Sequence, residues 1–166
     1  GSGRFDRRLR TGAGGSLTRI GFLACAETLP NGGPRRGDAF EHDLEVGALR
    51  PAFETVGLTL VKIDWRAPLE CFDDIALVLL GTAWDYQDHA QDFLAKLDAL
   101  ADRGILICNS PEIVRWNANK RYLEELADRG ATTVPTLWLD DVDRAGILRA
   151  LDEFDTDRIV VKRQIG

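Results

Sequence analysis

Four short apolar runs, at residues 19–25, 58–63, 75–80 and 105–108, punctuate the first two thirds of the chain, and the segments around them carry helical spacing or turn residues. Runs of this length and continuity read as parallel strands buried on both faces. Between the first two, Asp38 with Glu41 makes a capping-box-like helix start. Phe40, Leu44, Ala48, Leu49, Phe53 and Val56 then recur at helical spacing until Gly57. Pro51 is expected to kink or interrupt that helix, because it removes a backbone donor and clashes with the preceding turn. Between the last two runs, residues 88–103 set Phe93, Leu94, Leu97 and Leu100 on one helical face and stop at Gly104. Strands alternating with helices predict an α/β fold, a Rossmann-like, three-layer, mostly parallel sheet extending to about Asn109.

The pattern then changes. Ser110, Pro111 and Glu112 open a short helix, with proline at the first helical position. A helix over 117–129, an extended segment over 133–139 made irregular by Pro135, a helix over 142–154 and a strand over 158–162 follow. This gives three regions: an arginine- and glycine-rich leader at 1–18, read as mobile; an α/β domain at 19–109; and the start of a second domain at 110–166. The abrupt end of that second region reads as a truncation, and the absence of methionine means that Gly1 is not expected to be a native start.

With 45% hydrophobic and 29% charged residues, the composition is that of a folded, soluble chain with no membrane span. A net charge of -6 argues against nucleic acid, whose phosphate backbone demands a basic surface, and leaves a small molecule as the expected partner. No signal-peptide core is present. Three cysteines and two histidines lack metal-ligand spacing, so a reduced, cytoplasmic protein is expected, with Cys25 and Cys108 as small buried apolar residues.

Ligands of a parallel sheet bind beyond the carboxyl ends of the strands. The residues there are Cys25 and Glu27, Asp64 and Trp65, the loop from Gly81 to Tyr86, and Asn109. Thr82, Trp84, Asp85 and Tyr86 combine a hydroxyl, two aromatics and a carboxylate, which suits substrate contact; the same residues also suit a turn anchored to the core. Arg35 and Arg36 either meet an anion or, as favoured here, keep an exposed loop soluble. No glycine follows the first strand to admit a pyrophosphate, which sets aside a dinucleotide oxidoreductase. Lys120 opposes the dipole of its helix, a mismatch that a bound anion would relieve. Lys162 closes the apolar run Ile159, Val160, Val161, where a charge is costly without a counter-charge; a strand-end lysine reaching solvent is the alternative.

Three motifs together, residues 81–86, residues 109–123 and Val160-Val161-Lys162, resemble the ATP-grasp proteins of the glutathione synthetase and ribosomal-protein glutamate-ligase branch. The resemblance implies a pre-ATP-grasp domain followed by the first part of an ATP-grasp α+β subdomain. It assigns Lys120 and Lys162 to the nucleotide phosphates, and it implies ATP and Mg as cofactors, with the metal ligands beyond Gly166. The implied reaction is ligation of a small-molecule carboxylate to an amine through an acyl phosphate, in which Thr82, Trp84, Asp85 and Tyr86 face the acceptor and a homo-oligomer is common. The chain as it stands is expected to be inactive. It departs from many relatives in having Gly81 where they have arginine, and Arg163 where they have proline. A non-catalytic α/β binding or interaction domain, and an unrelated flavodoxin-like regulatory module, are the other readings; for the latter, Glu27 alone does not make an acidic phospho-acceptor cluster.

Overall fold

A computed structural model describes residues 18–166; the leader expected at 1–18 lies, but for its last residue, outside them. The chain divides into two compact units between Ala118 and Asn119.

The first unit contains β1 (Thr18–Ala24), α1 (Ala39–Thr55), β2 (Leu58–Asp64), β3 (Ile75–Thr82), α2 (Ala90–Asp102), β4 (Leu106–Cys108) and α3 (Pro111–Asn117). The strands form one parallel sheet in the order β2-β1-β3-β4, flanked by helices, as the alternation of elements predicts. Successive residues of β1 point to opposite faces. Ile20 and Phe22 pack with Leu60, Leu77 and Val46 of α1, while Leu23 packs with Ile63, Val78 and the α2 residues Phe93, Leu97 and Leu100. Covering both faces is why Ile75 to Leu80 of the central β3 reads as an unbroken apolar run, whereas β2 at the edge carries Thr59 and Lys62. Each large side chain fully buried in this way contributes about 1.5–3 kcal/mol.

The expected apolar face of α1 needs correction. Phe40 is 58% and Leu44 68% exposed, whereas Ala39, His42 and Val46 are buried. Helical spacing fits both sets, and the sheet takes the one containing His42, whose ring finds a hydrogen-bond partner there. Nor does Pro51 interrupt the helix. The carbonyl that loses its donor belongs to Gly47, which is exposed, so water can solvate it. Asp38 makes no side-chain cap, because its carboxylate accepts from Arg36 at 2.5 and 3.0 Å. Cys108 is exposed rather than buried: it ends a three-residue strand at the edge of the sheet.

The second unit contains α4 (Tyr122–Asp128) and α5 (Arg144–Glu153), the latter capped by Asp143, which accepts from the Gly146 N–H at 2.7 Å. An antiparallel bridge joins Asn119 to Ile165. The strand expected at 158–162 is absent, and Val160 and Val161 are 80% and 56% exposed. A β-branched run forms a strand only where a neighbour takes up its backbone hydrogen bonds; none does so among the described residues. The buried-charge cost ascribed to Lys162 falls with that strand. No helix among the described residues is long and apolar enough to cross a membrane.

Gly81 is the tightest glycine of the sheet interior, since a Cβ there would lie 2.1 Å from Cζ of Phe22. Gly81→Ala is expected to cost about 1–3 kcal/mol through overpacking, and Gly47→Ala, which meets nothing within 4 Å, to cost nothing or to stabilise. Urea unfolding of the two variants checks this pair.

Candidate active-site crevice

The chain leaves β1 for β2 on one side and reaches β3 on the other, so the carboxyl ends of β1 and β3 frame a crevice. Backbone bonds stitch these ends together: the Cys25 N–H reaches Thr82 O at 3.1 Å and the Trp65 N–H reaches Ala24 O at 3.0 Å. Beneath them lies a buried polar chain. The Thr28 hydroxyl donates to the Cys25 carbonyl at 2.8 Å and stands 3.4 Å from the Thr82 hydroxyl, which is hydrogen-bonded to Nδ1 of His42 at 2.6 Å. Thr28, His42 and Thr82 are all fully buried, and Nε2 of His42 has no hydrogen-bond partner among the described residues. Burial, reinforced by the charge of Lys62, holds the His42 pKa below its usual 6.5 and keeps the ring neutral.

The rim is built of paired charges and indoles. The Arg36 guanidinium lies 5.0 Å from the Trp84 ring and Arg66 4.4 Å from the Trp65 ring. Asp85 accepts from Nε1 of Trp65 at 2.7 Å and pairs with Arg66. Arg35 donates to Asp43 at 2.9 and 3.1 Å and to the Thr28 carbonyl at 2.8 Å. Both arginines are exposed, as expected of that loop, and each is also ion-paired, Arg35 to Asp43 and Arg36 to Asp38. Ligating atoms of Cys25, Glu27 and Asp85 lie within 4.8 Å of one another. Asp85 is already engaged by Trp65 and Arg66, so the trio is a poor cage for a bare cation, and its carboxylates beside guanidinium groups suit a zwitterion.

Toward β4, a cavity of about 200 Å³ is lined by Leu80, Ala83, Phe93 and Val114, with Tyr86, Asn109 and Asn117 as its polar groups. Tyr86 stacks on Phe93 at 5.0 Å, and burial raises its pKa above 10.0. Of the four loop residues singled out by sequence, Thr82 is buried in the polar chain, Asp85 is engaged by Trp65 and Arg66, Trp84 sits on the rim and Tyr86 lines the cavity. Arg66, His42 and Asn117 are additions. Arg66 follows a strand-end tryptophan, a signal for guanidinium stacking, and His42 shares helical spacing with Ala39, Val46 and Leu49.

In the second unit, the Lys120 N–H donates to Gln164 O at 2.7 Å, and its ammonium donates to the Gly166 carbonyl oxygen. Lys120 is pushed below its usual pKa by burial first, then by the charges of Lys162 and Arg163. The fold thus draws three cations together. Beside them, Arg121 lies 5.3 Å from the Trp138 ring and pairs with Glu124.

Residues 20–109 match the family model described as the D-cycloserine synthetase DcsG, N-terminal domain. The cycloserine biosynthesis protein DcsG of Streptomyces lavendulae is 31% identical over 94 residues, which cover 57% of this chain and 31% of that protein. The crystal structure of D-cycloserine synthetase DcsG aligns with a TM-score of 0.60 at 23% identity, over 82% of this chain and 43% of that one, a likeness of fold. The chain thus spans about a third of the length of the curated relative.

The depressed His42 pKa has a signed consequence. The unfolded chain takes up a proton near 6.5 and the folded protein only at lower pH, so this contribution to stability is complete above that value. It is lost as pH falls from there through the folded pKa. Urea midpoints measured from about pH 7.5 down to about pH 5 are expected to fall, and His42→Gln to flatten that part of the decline; an equal slope in both proteins would refute the assignment.

Proposed function

This chain belongs to the family of the D-cycloserine synthetase DcsG N-terminal domain, and from that premise we propose that it is the first portion of an ATP-dependent carboxylate–amine ligase of the ATP-grasp type. The observation that carries the proposal is the return of the basic segment around Lys162 and Arg163 to Lys120, where Asn119 bridges Ile165 and the Lys120 N–H donates to Gln164 O at 2.7 Å. Lysine and arginine side chains gathered in this way suit the phosphates of a nucleotide. The order of the three motifs along the chain supports the same reading, and so does a family model named for a synthetase.

In this reading Lys120 and Lys162 hold the ATP phosphates, while the crevice and cavity of the first unit receive the acceptor. Trp84 and Tyr86 supply contact area, Asp85 and Glu27 attract an ammonium, and Arg36 and Arg66 attract a carboxylate. Thr82 acts from below by holding the loop. A carboxylate oxygen of the substrate attacks the γ-phosphorus and ADP leaves; an amine then attacks the acyl carbon and phosphate leaves. Positioning and neutralisation of the phosphate charge dominate such a transfer. Magnesium, held by residues that the resemblance assigns beyond Gly166, supplies further neutralisation when bound. A cytoplasmic location accords with this chemistry.

The test uses the complete protein encoded by the reading frame. It is expected to bind Mg-ATP in calorimetry, with Lys120→Ala weakening binding at least about tenfold, the loss of one charge-assisted contact. An unaltered affinity in the variant, or no binding by the wild type, would favour the non-catalytic interaction domain instead.

A further inference from the structure

Helix α1 is apolar on two opposite sides. The sheet covers Ala39, His42, Val46, Leu49 and Phe53. Facing directly away are Phe40, Leu44, Gly47, Ala48 and Pro51, all exposed, with Phe40 at 58% and Leu44 at 68%. A solvent-facing helix ordinarily carries polar residues there, and one that is apolar on both sides is a helix covered on both sides. We propose that a second copy of this chain covers the outer stripe, the two α1 helices crossing antiparallel about a two-fold axis near Gly47 and Ala48.

Three features select this occupant. Gly47 and Ala48 sit midway along the stripe, where small side chains let two helix backbones approach closely. An antiparallel crossing at that point sets Leu44 of each copy against Pro51 of the other, so the larger apolar residues meet shorter ones on both sides of the axis. Charge agrees as well. Asp43 and Arg50 lie on the same flank of the stripe, three or four residues to either side of its centre, so the two-fold operation brings Asp43 of each copy opposite Arg50 of the other. Asp43 also pairs with Arg35 of its own chain, whereas Arg50, which is exposed, has no ion pair among the described residues. The opposite flank sets Glu41 and Glu45 against Ala52 and Ala48, which avoids like charges in contact. The inference rests on α1 alone and stands whether or not the ligase reading holds.

Sedimentation velocity over a concentration series, on the chain as given, is the test. The wild type is expected to show a reversible monomer–dimer equilibrium that weakens with added salt. Leu44→Glu places a charge in the apolar seam against Pro51 of the other copy and is expected to sediment as a monomer. Gly47→Trp has open space around the substituted atom in the single chain, so it folds normally yet blocks the crossing, and it too is expected to be monomeric. Arg50→Glu is expected to weaken the dimer about tenfold. Circular dichroism and urea midpoints matching the wild type ensure that these losses are not unfolding. A wild type that stays monomeric throughout the series would overturn the proposal and leave the stripe to another partner; a Gly47→Trp dimer as tight as the wild type would overturn the stated crossing.

Discussion

The hydrogen bond between the Thr82 hydroxyl and Nδ1 of His42, 2.6 Å long and fully buried, holds together the parts that make the crevice. Thr82 ends β3 and begins the loop of Trp84, Asp85 and Tyr86. Its hydroxyl also stands beside Thr28 in the turn after β1, and His42 lies on α1, which covers the sheet behind both. One interaction therefore couples two strand ends and a helix. A polar contact in so apolar a setting is conditional: paired, it fixes a unique arrangement; broken, it leaves a desolvated group at a cost of about 1–3 kcal/mol. The depressed basicity of His42 follows from the same burial.

Charge is distributed differently in the two units. Around the crevice, Arg66 meets Asp85, Arg36 meets Asp38 and Arg35 meets Asp43. These pairs orient guanidinium and carboxylate groups without large net charge, as befits a small ligand that carries both signs. In the second unit Lys120 is lowered in pKa by burial first and then by the charges of Lys162 and Arg163. A multiply charged anion answers that positive charge. In the proposed ligase, the nucleotide belongs with the second unit and the smaller substrate with the first.

The sheet was legible in the sequence because its central strands β1 and β3 are covered on both faces and read as short apolar runs between helical segments and turn residues. The rotation of α1 was not. Val46, Leu49 and Phe53 on one side balance Phe40 and Leu44 on the other, so hydrophobicity alone separates the two stripes poorly; His42, the polar residue of the buried stripe, finds its partner in a residue 40 positions away. The strand expected at 158–162 failed for a related reason, since Ile159, Val160 and Val161 carry strand propensity but a strand needs a partner. Lys120 and Lys162 were visible as residues of interest from local chemistry and motif order. Their approach depends on the bridge between Asn119 and Ile165, which no local pattern announces.

Gly81 connects the packing of the sheet to the chemistry of its edge. The proposed ATP-grasp reading implies an arginine at this position in many proteins of that type, yet here even a methyl group would strike the Phe22 ring. Phe22 is fully buried and packs edge-on to His42 with ring centroids 5.6 Å apart, so it cannot yield without disturbing the bond that holds the loop. A guanidinium at the crevice must then come from elsewhere. Arg36, stacked on Trp84, and Arg66, paired with Asp85, bring one from each side. In the ligase reading, the missing arginine is a relocation of the positive charge from the strand to the two loops that flank it.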